Sequence, residues 1–204
     1  METIQAQEEL AFIRKVMEDS RSSYVDDGKP KIVWGAIVAA AMLYTYMQAL
    51  ADSDLYVSWV WIGLSVLGWA YIFWNKSKRE TDSKSRTYTG KIIGAIWGGC
   101  GAAVALVVML TMVELALEHH PIIHPVALCP LTALIIGIAY FLDGTVRVVP
   151  WVRNLALAWW VGAIAMFYWP SVHVLLLYSV MVIAFQFVPG VVLLRKSQRS
   201  TQAV

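Results

Sequence analysis

The chain has 204 residues, 59% of them hydrophobic and only 15% charged, with a formal net charge of +2 and a mean hydropathy of +0.61. A water-soluble domain of this length cannot hide so much apolar surface, and the charges cluster in a few segments instead of lining amphipathic faces, so lipid must be the solvent for most of the chain. A transmembrane β-barrel is excluded too, because its strands alternate over ~10 residues, whereas the apolar runs here are continuous and roughly the ~20 residues of a membrane helix.

The chain opens with an amphipathic pattern over residues 3–24. Ala6, Leu10, Ile13, Met17 and Tyr24 share one side of a helix, Phe12 and Val16 widen it, and Arg14, Lys15 and Glu18 lie opposite. Glu2, Glu8, Glu9, Glu18 and Asp19 outnumber Arg14, Lys15 and Arg21. A helix lying on anionic lipid is rich in basic residues, so this one points to protein: the chain's own cytoplasmic loops, a second copy or a docking partner. Residues 1–31 hold no apolar core of a secretory signal, and the first span is therefore expected to serve as an uncleaved anchor. Asp26-Asp27-Gly28-Lys29-Pro30 reads as a turn closing this segment.

Six apolar runs follow, expected as transmembrane helices over 32–50, 55–74, 92–113, 126–142, 155–169 and 172–194, with a cytoplasmic tail over 195–204. The resulting fold class is an all-α membrane protein of three antiparallel hairpins preceded by the amphipathic cytoplasmic helix. Ala51–Asp54 is a very short turn, 75–91 a polar loop, and Asp143–Asn154 a short loop. The run 155–169 is short for a span, and charge decides its reading. With six spans all 16 lysines and arginines fall on one side of the membrane, in the N-terminal segment, the 75–91 loop, the loop holding Arg147 and Arg153, and the tail. The positive-inside rule then places both termini in the cytoplasm of a multi-pass inner-membrane protein. Tyr56, Trp59, Trp61, Tyr168 and Trp169 gather at outer ends and Trp34, Trp74 and Trp151 at inner ends, as an interfacial aromatic belt does. Trp159-Trp160 lies deeper, as packing or as the wall of an apolar ligand site.

Small residues mark close helix contacts. Gly94, Gly98 and Ala102 recur every fourth position in the third span, beside Gly99 and Ala103, and Gly35 with Ala39 makes a weaker version in the first. The third span is therefore expected at the centre of the bundle. Pro130 in the fourth span and Pro189-Gly190 in the sixth are expected to kink their helices, as hinges or as static packing features. Gln186 stands one turn before that second site, and Asp143 and Arg147, four apart, are expected to pair. Cys100 and Cys129 sit toward opposite membrane faces, beyond disulfide reach.

The polar loop after the third span carries the candidate chemistry. Glu114, Glu118, His119, His120 and His124 fall there, and His173 opens the last span on the same outer face. Imidazole with carboxylate suits a metal, or a haem through its iron, and also suits hydrated interfacial residues; the spacing matches no established metal motif. Glu114 is the most deeply placed acid. No charge interrupts the middle of a span, and there is no phosphate-binding glycine loop, serine elbow or metal-spaced cysteine pair. The loop from Lys76 to Lys91 is short and tethered to the membrane, with Glu80 and Asp82 among its basic residues, so it answers to topology and anionic headgroups and not to nucleic acid.

The segments Ile13-Arg-Lys-Val-Met-Glu-Asp-Ser20 and Val188-Pro-Gly-Val-Val-Leu193 resemble small uncharacterised bacterial multispan inner-membrane proteins. The resemblance covers these two segments and implies a bacterial inner membrane without implying an activity. Three readings follow. The first is a non-enzymatic accessory or sensor protein that forms a homo-oligomer or docks a membrane or cytosolic partner through the N-terminal amphipathic helix. The second is a small transporter or channel with Glu114 at its outer mouth, and the third an outer-face metal or haem protein.

Overall fold

The computed structural model describes residues 28–53, 56–81, 88–116 and 127–202. The helices are α1 (Gly28–Leu50), α2 (Val57–Thr81), α3 (Tyr88–Ala116), α4 (Leu128–Val146) and α5 (Pro150–Tyr168). They are followed by one long rod made of α6 (His173–Val182), a π-helical turn (Ile183–Phe187) and α7 (Val188–Gln202). No strand occurs among the described residues. Among the described residues, four segments, Gly28–Leu50, Thr89–Thr111, Leu128–Val146 and His173–Arg195, are long and apolar enough to cross a membrane, and the apolar part of α2 is the shorter Val57–Tyr71. The amphipathic helix expected over 3–24 lies outside the described residues, as do Glu118, His119, His120 and His124.

Every apolar run lies on a helix, yet the helices reach further than hydropathy indicates. Gly28-Lys29-Pro30 is part of α1 and not a connector. α2 runs on to Thr81 and α3 starts at Tyr88, taking up most of the 75–91 loop. Between α4 and α5 the expected loop 143–154 shrinks to Arg147–Val149. Trp151 to Asn154 belong to α5, which is 19 residues long instead of the run 155–169. Once a helix is nucleated each further residue adds a bond, so polar flanks continue it.

The core lies among α4, α5 and α6, with α1 closing one side. Tyr140, Trp159, Met166, Tyr178, Met181 and Val182 are buried there, with Ala39, Ala133, Ala156 and Ala163 filling between them. Small residues set the helix separations. A Cβ on Gly137 would lie 2.3 Å from Trp160 Nε1, and one on Gly144 would lie 2.3 Å from the backbone nitrogen of Arg153. On α1 the buried stripe is Gly28, Lys31, Gly35 and Ala39, one face at helical spacing. A Cβ on Gly28 would meet Gly190 O at 2.6 Å and one on Gly35 would meet Phe187 Cα at 3.1 Å, while Ser179 Oγ donates to Ala39 O across 3.2 Å. The weaker small-residue face of the sequence is thus the one packed inside the chain.

The stronger face is not. α3 lies at the edge of the bundle, leaning chiefly on α4, instead of at the expected centre. Nothing among the described residues comes within 4 Å of a Cβ built on Gly94, Gly98, Gly99 or Gly101, and Ala102 is exposed. Leu106, Met109 and Leu110 of α3 and Leu157, Val161 and Ile164 of α5 are likewise exposed. In water such a surface would aggregate, and in a bilayer it faces lipid tails.

The two proline sites differ. Pro130 is the third residue of α4 and falls in its first turn, where a proline removes no helical bond, so the kink expected there has no basis. Pro189 stands two residues past the π turn, and the N–H of the intervening Val188 reaches back to Ile183 O. Proline cannot donate to the carbonyl four residues back and its ring crowds it, and a widened turn ahead of it relieves that conflict. Gly190 is buried, and its own Cβ position would be 3.0 Å from Gly28 O, so this point of the rod is pinned on α1.

Candidate functional site

A buried charged cluster joins α1, α3 and α4 at one end of the bundle. Asp143 and Arg147 are four apart at the C-terminal end of α4, which puts them on one face, and Arg147 Nε donates to Asp143 Oδ1. This is the expected pair, and the fold adds to it. Lys31, in the first turn of α1, donates from Nζ to Asp143 Oδ2 at 2.8 Å, and the indole N–H of Trp97 on α3 donates to the same oxygen at 3.2 Å. Lys31 Nζ also stands 5.2 Å from the centroid of the Trp97 ring and 5.5 Å from that of Tyr140. Lys31, Asp143 and Arg147 retain only 6%, 0% and 7% of their exposure.

Local structure explains the placement. A carboxylate near a helix C-terminus faces the negative end of the macrodipole and needs cations beside it; Arg147 at the C-cap serves both. The chain then reverses sharply. Val148 N–H donates to Thr145 O at 3.1 Å and Val149 N–H to Gly144 O at 2.8 Å. This pair of bonds is a Schellman closure, with Val148 at φ 55° in the left-handed position that glycine usually fills. The close approach of Gly144 to Arg153 across this turn seats α5 on α4.

An aromatic column leads from the cluster along the core. Trp97 and Tyr140 meet edge to face at 5.2 Å, Tyr140 stacks on Trp159 at 6.4 Å, and Trp159 meets Tyr178 at 5.9 Å. The hydroxyls of Tyr178 and Thr132 share a hydrogen bond of 3.1 Å, and Thr132 donates to Cys129 O at 2.9 Å. The fully buried Nε1 of Trp159 has no hydrogen-bond partner among the described residues. Trp160 donates to Leu134 O at 3.4 Å and packs on Phe141, so the tryptophan pair fills the bundle as packing.

Of the histidines expected on the outer face, His173 alone is among the described residues. Its Nδ1 is 3.0 Å from Tyr46 Oη, tying the start of α6 to α1. Glu114 lies on α3 near its end. No group of three His, Cys, Asp or Glu that could hold a metal occurs among the described residues. Gln186 is buried within the π turn.

Lys31, Trp97 and Tyr140 were not singled out as site residues by the sequence reading. One signal was available for Lys31: it is in register with Gly35 and Ala39, so a lysine sits on the inward face of a membrane helix. Trp97 and Tyr140 carry no local signal, since tryptophan and tyrosine are frequent in this chain. No protein family, curated protein or solved structure matches the chain.

Proposed function

We propose that this chain is a non-enzymatic accessory protein of the cell's inner membrane, with six spans and both termini in the cytoplasm, that associates in the plane of the bilayer through α3. The observation that carries the reading is the state of α3: an uncharged stretch from Ile92 to Val113, leaning chiefly on one neighbour, with four glycines that meet nothing among the described residues. Glycine costs helix stability without filling space, and in a membrane helix its return is close backbone approach to another helix. A second copy of the same span is self-complementary across a two-fold axis.

Six helical rods among the described residues, and a sequence whose 16 lysines and arginines all lie outside the segments expected on the outer side, support the topology. An impermeant maleimide should label Ser53→Cys from outside the cell and Thr201→Cys only after permeabilisation. Association is tested by energy transfer between donor- and acceptor-labelled copies, tagged on the C-terminal tail and mixed in liposomes. Transfer should persist as lipid is added and vanish in Gly98→Leu. Transfer that falls in step with dilution in both proteins sinks the proposal.

A further inference from the structure

The surroundings of Lys31 are those of a cation-binding recess. Asp143 Oδ2 supplies the negative charge at 2.8 Å, and the rings of Trp97 and Tyr140 stand 5.2 Å and 5.5 Å from the ammonium. The two rings are nearly perpendicular, at 89°, and make two walls beside the carboxylate. One carboxylate with converging aromatic faces recognises ammonium and quaternary ammonium groups, because the ring quadrupole attracts a cation without requiring an N–H donor. A hard metal ion needs six or more oxygen ligands and would find too few among the described residues.

The two cations on Asp143 are unequal. Arg147 is on the same helix, one turn away, with a rigid planar head on Oδ1. Lys31 comes from 112 residues away in the chain, from the first turn of α1, on a flexible four-carbon stem. The permanent parts of the recess are therefore Asp143, Arg147, Trp97 and Tyr140. Lys31 is the part that can leave.

We propose that the Asp143 carboxylate and the faces of Trp97 and Tyr140 form a binding site for alkylammonium ions, quaternary ones included, in which Lys31 is the built-in occupant. A free ligand enters by displacing Lys31, and this unfastens the Gly28 end of α1 from α4. The ligand binds one of two arrangements, so it shifts the chain toward the released one by the difference in its affinity for the two. The inference is independent of association through α3.

The test uses the full wild-type chain in nanodiscs, with tetramethylammonium chloride titrated against sodium chloride of equal ionic strength. Amine labelling is read residue by residue by mass spectrometry, with the exposed Lys29 as internal reference. Lys31 labelling should rise severalfold and saturably with tetramethylammonium while Lys29 stays constant. Equal Lys31 labelling in the two salts, or a rise shared with Lys29, overturns the proposal. A second arm uses Lys31→Ala, which empties the recess: butylammonium should raise its thermal midpoint beyond the sodium control, and adding Trp97→Leu should abolish the gain. A folded Lys31→Ala chain indifferent to butylammonium also refutes the site, and the wild-type labelling decides the matter if that variant does not fold.

Discussion

The corner where α4 turns into α5 and the free face of α3 use the same residue type to opposite effect. At the corner, Gly137 and Gly144 are pressed so closely by Trp160 and Arg153 that a single methyl group has no room. On α3, Gly94, Gly98, Gly99 and Gly101 meet nothing within 4 Å among the described residues. Burial from water does not drive helix association in lipid, so a small-residue stripe records a capacity for close approach and not the identity of what approaches. Charge follows the same division: the packed region holds Lys31, Asp143 and Arg147 together, whereas α3 carries no charge from Ile92 to Val113.

The strongest way to break the packed region is at its charges. Asp143→Asn keeps the volume and removes the carboxylate charge that Lys31 and Arg147 share. Losing one member of a buried ionic set costs about 3–5 kcal/mol. Unfolding in mixed micelles, followed by tryptophan fluorescence, should show that loss, and an unchanged midpoint would mean that the cluster is hydrated. Lys31→Met is expected to be milder, because Asp143 keeps Arg147. Next in size is Gly144→Ala, whose Cβ would fall 2.3 Å from a backbone nitrogen that no rotamer change can move. Overpacking of this kind costs about 1–3 kcal/mol, and the same unfolding assay reads it.

How much of this was legible beforehand follows from the range of each interaction. The helices were readable because an apolar run of bilayer length has no alternative in lipid. The Asp143–Arg147 pair was readable because four residues on a helix is a fixed distance. Their ends were not: hydropathy falls at Lys29-Pro30 and at Trp151–Asn154 while the backbone stays helical. Lys31 could be counted as a topology signal, yet its pairing with Asp143 depends on how α1 docks, and no local pattern encodes that. The third span illustrates the limit most clearly. Its glycines predicted a central helix because they were read as contacts already made within the chain, and the core instead formed around Tyr140, Trp159 and Tyr178.

The turn between the two packed helices offers a smaller effect of opposite sign. Val148 is 81% exposed and holds φ at 55°, a left-handed conformation that a β-branched residue resists. Since L-residues lose roughly 1–2 kcal/mol there, Val148→Gly should stabilise the chain by about 1 kcal/mol after the added freedom of the unfolded glycine is subtracted. A lower unfolding midpoint in this variant would show that the Val148 side chain has a partner that outweighs its strain.

The smallest effect on stability sharpens the comparison most. Gly98→Ala makes the same chemical change as Gly144→Ala, but at a position with nothing within 4 Å among the described residues. Within one chain it should leave the unfolding free energy unchanged within about 0.5 kcal/mol, as substitutions away from packed features do. If copies associate through α3, the added methyl must separate two backbones, and energy transfer at fixed lipid dilution should fall while the monomer's unfolding in micelles does not. A variant that loses stability and association together would place Gly98 inside the chain's own packing and remove the distinction between the two faces. Loss of association alone would give the α3 glycines the role that Gly137 and Gly144 have within α4, with the neighbour supplied by another chain.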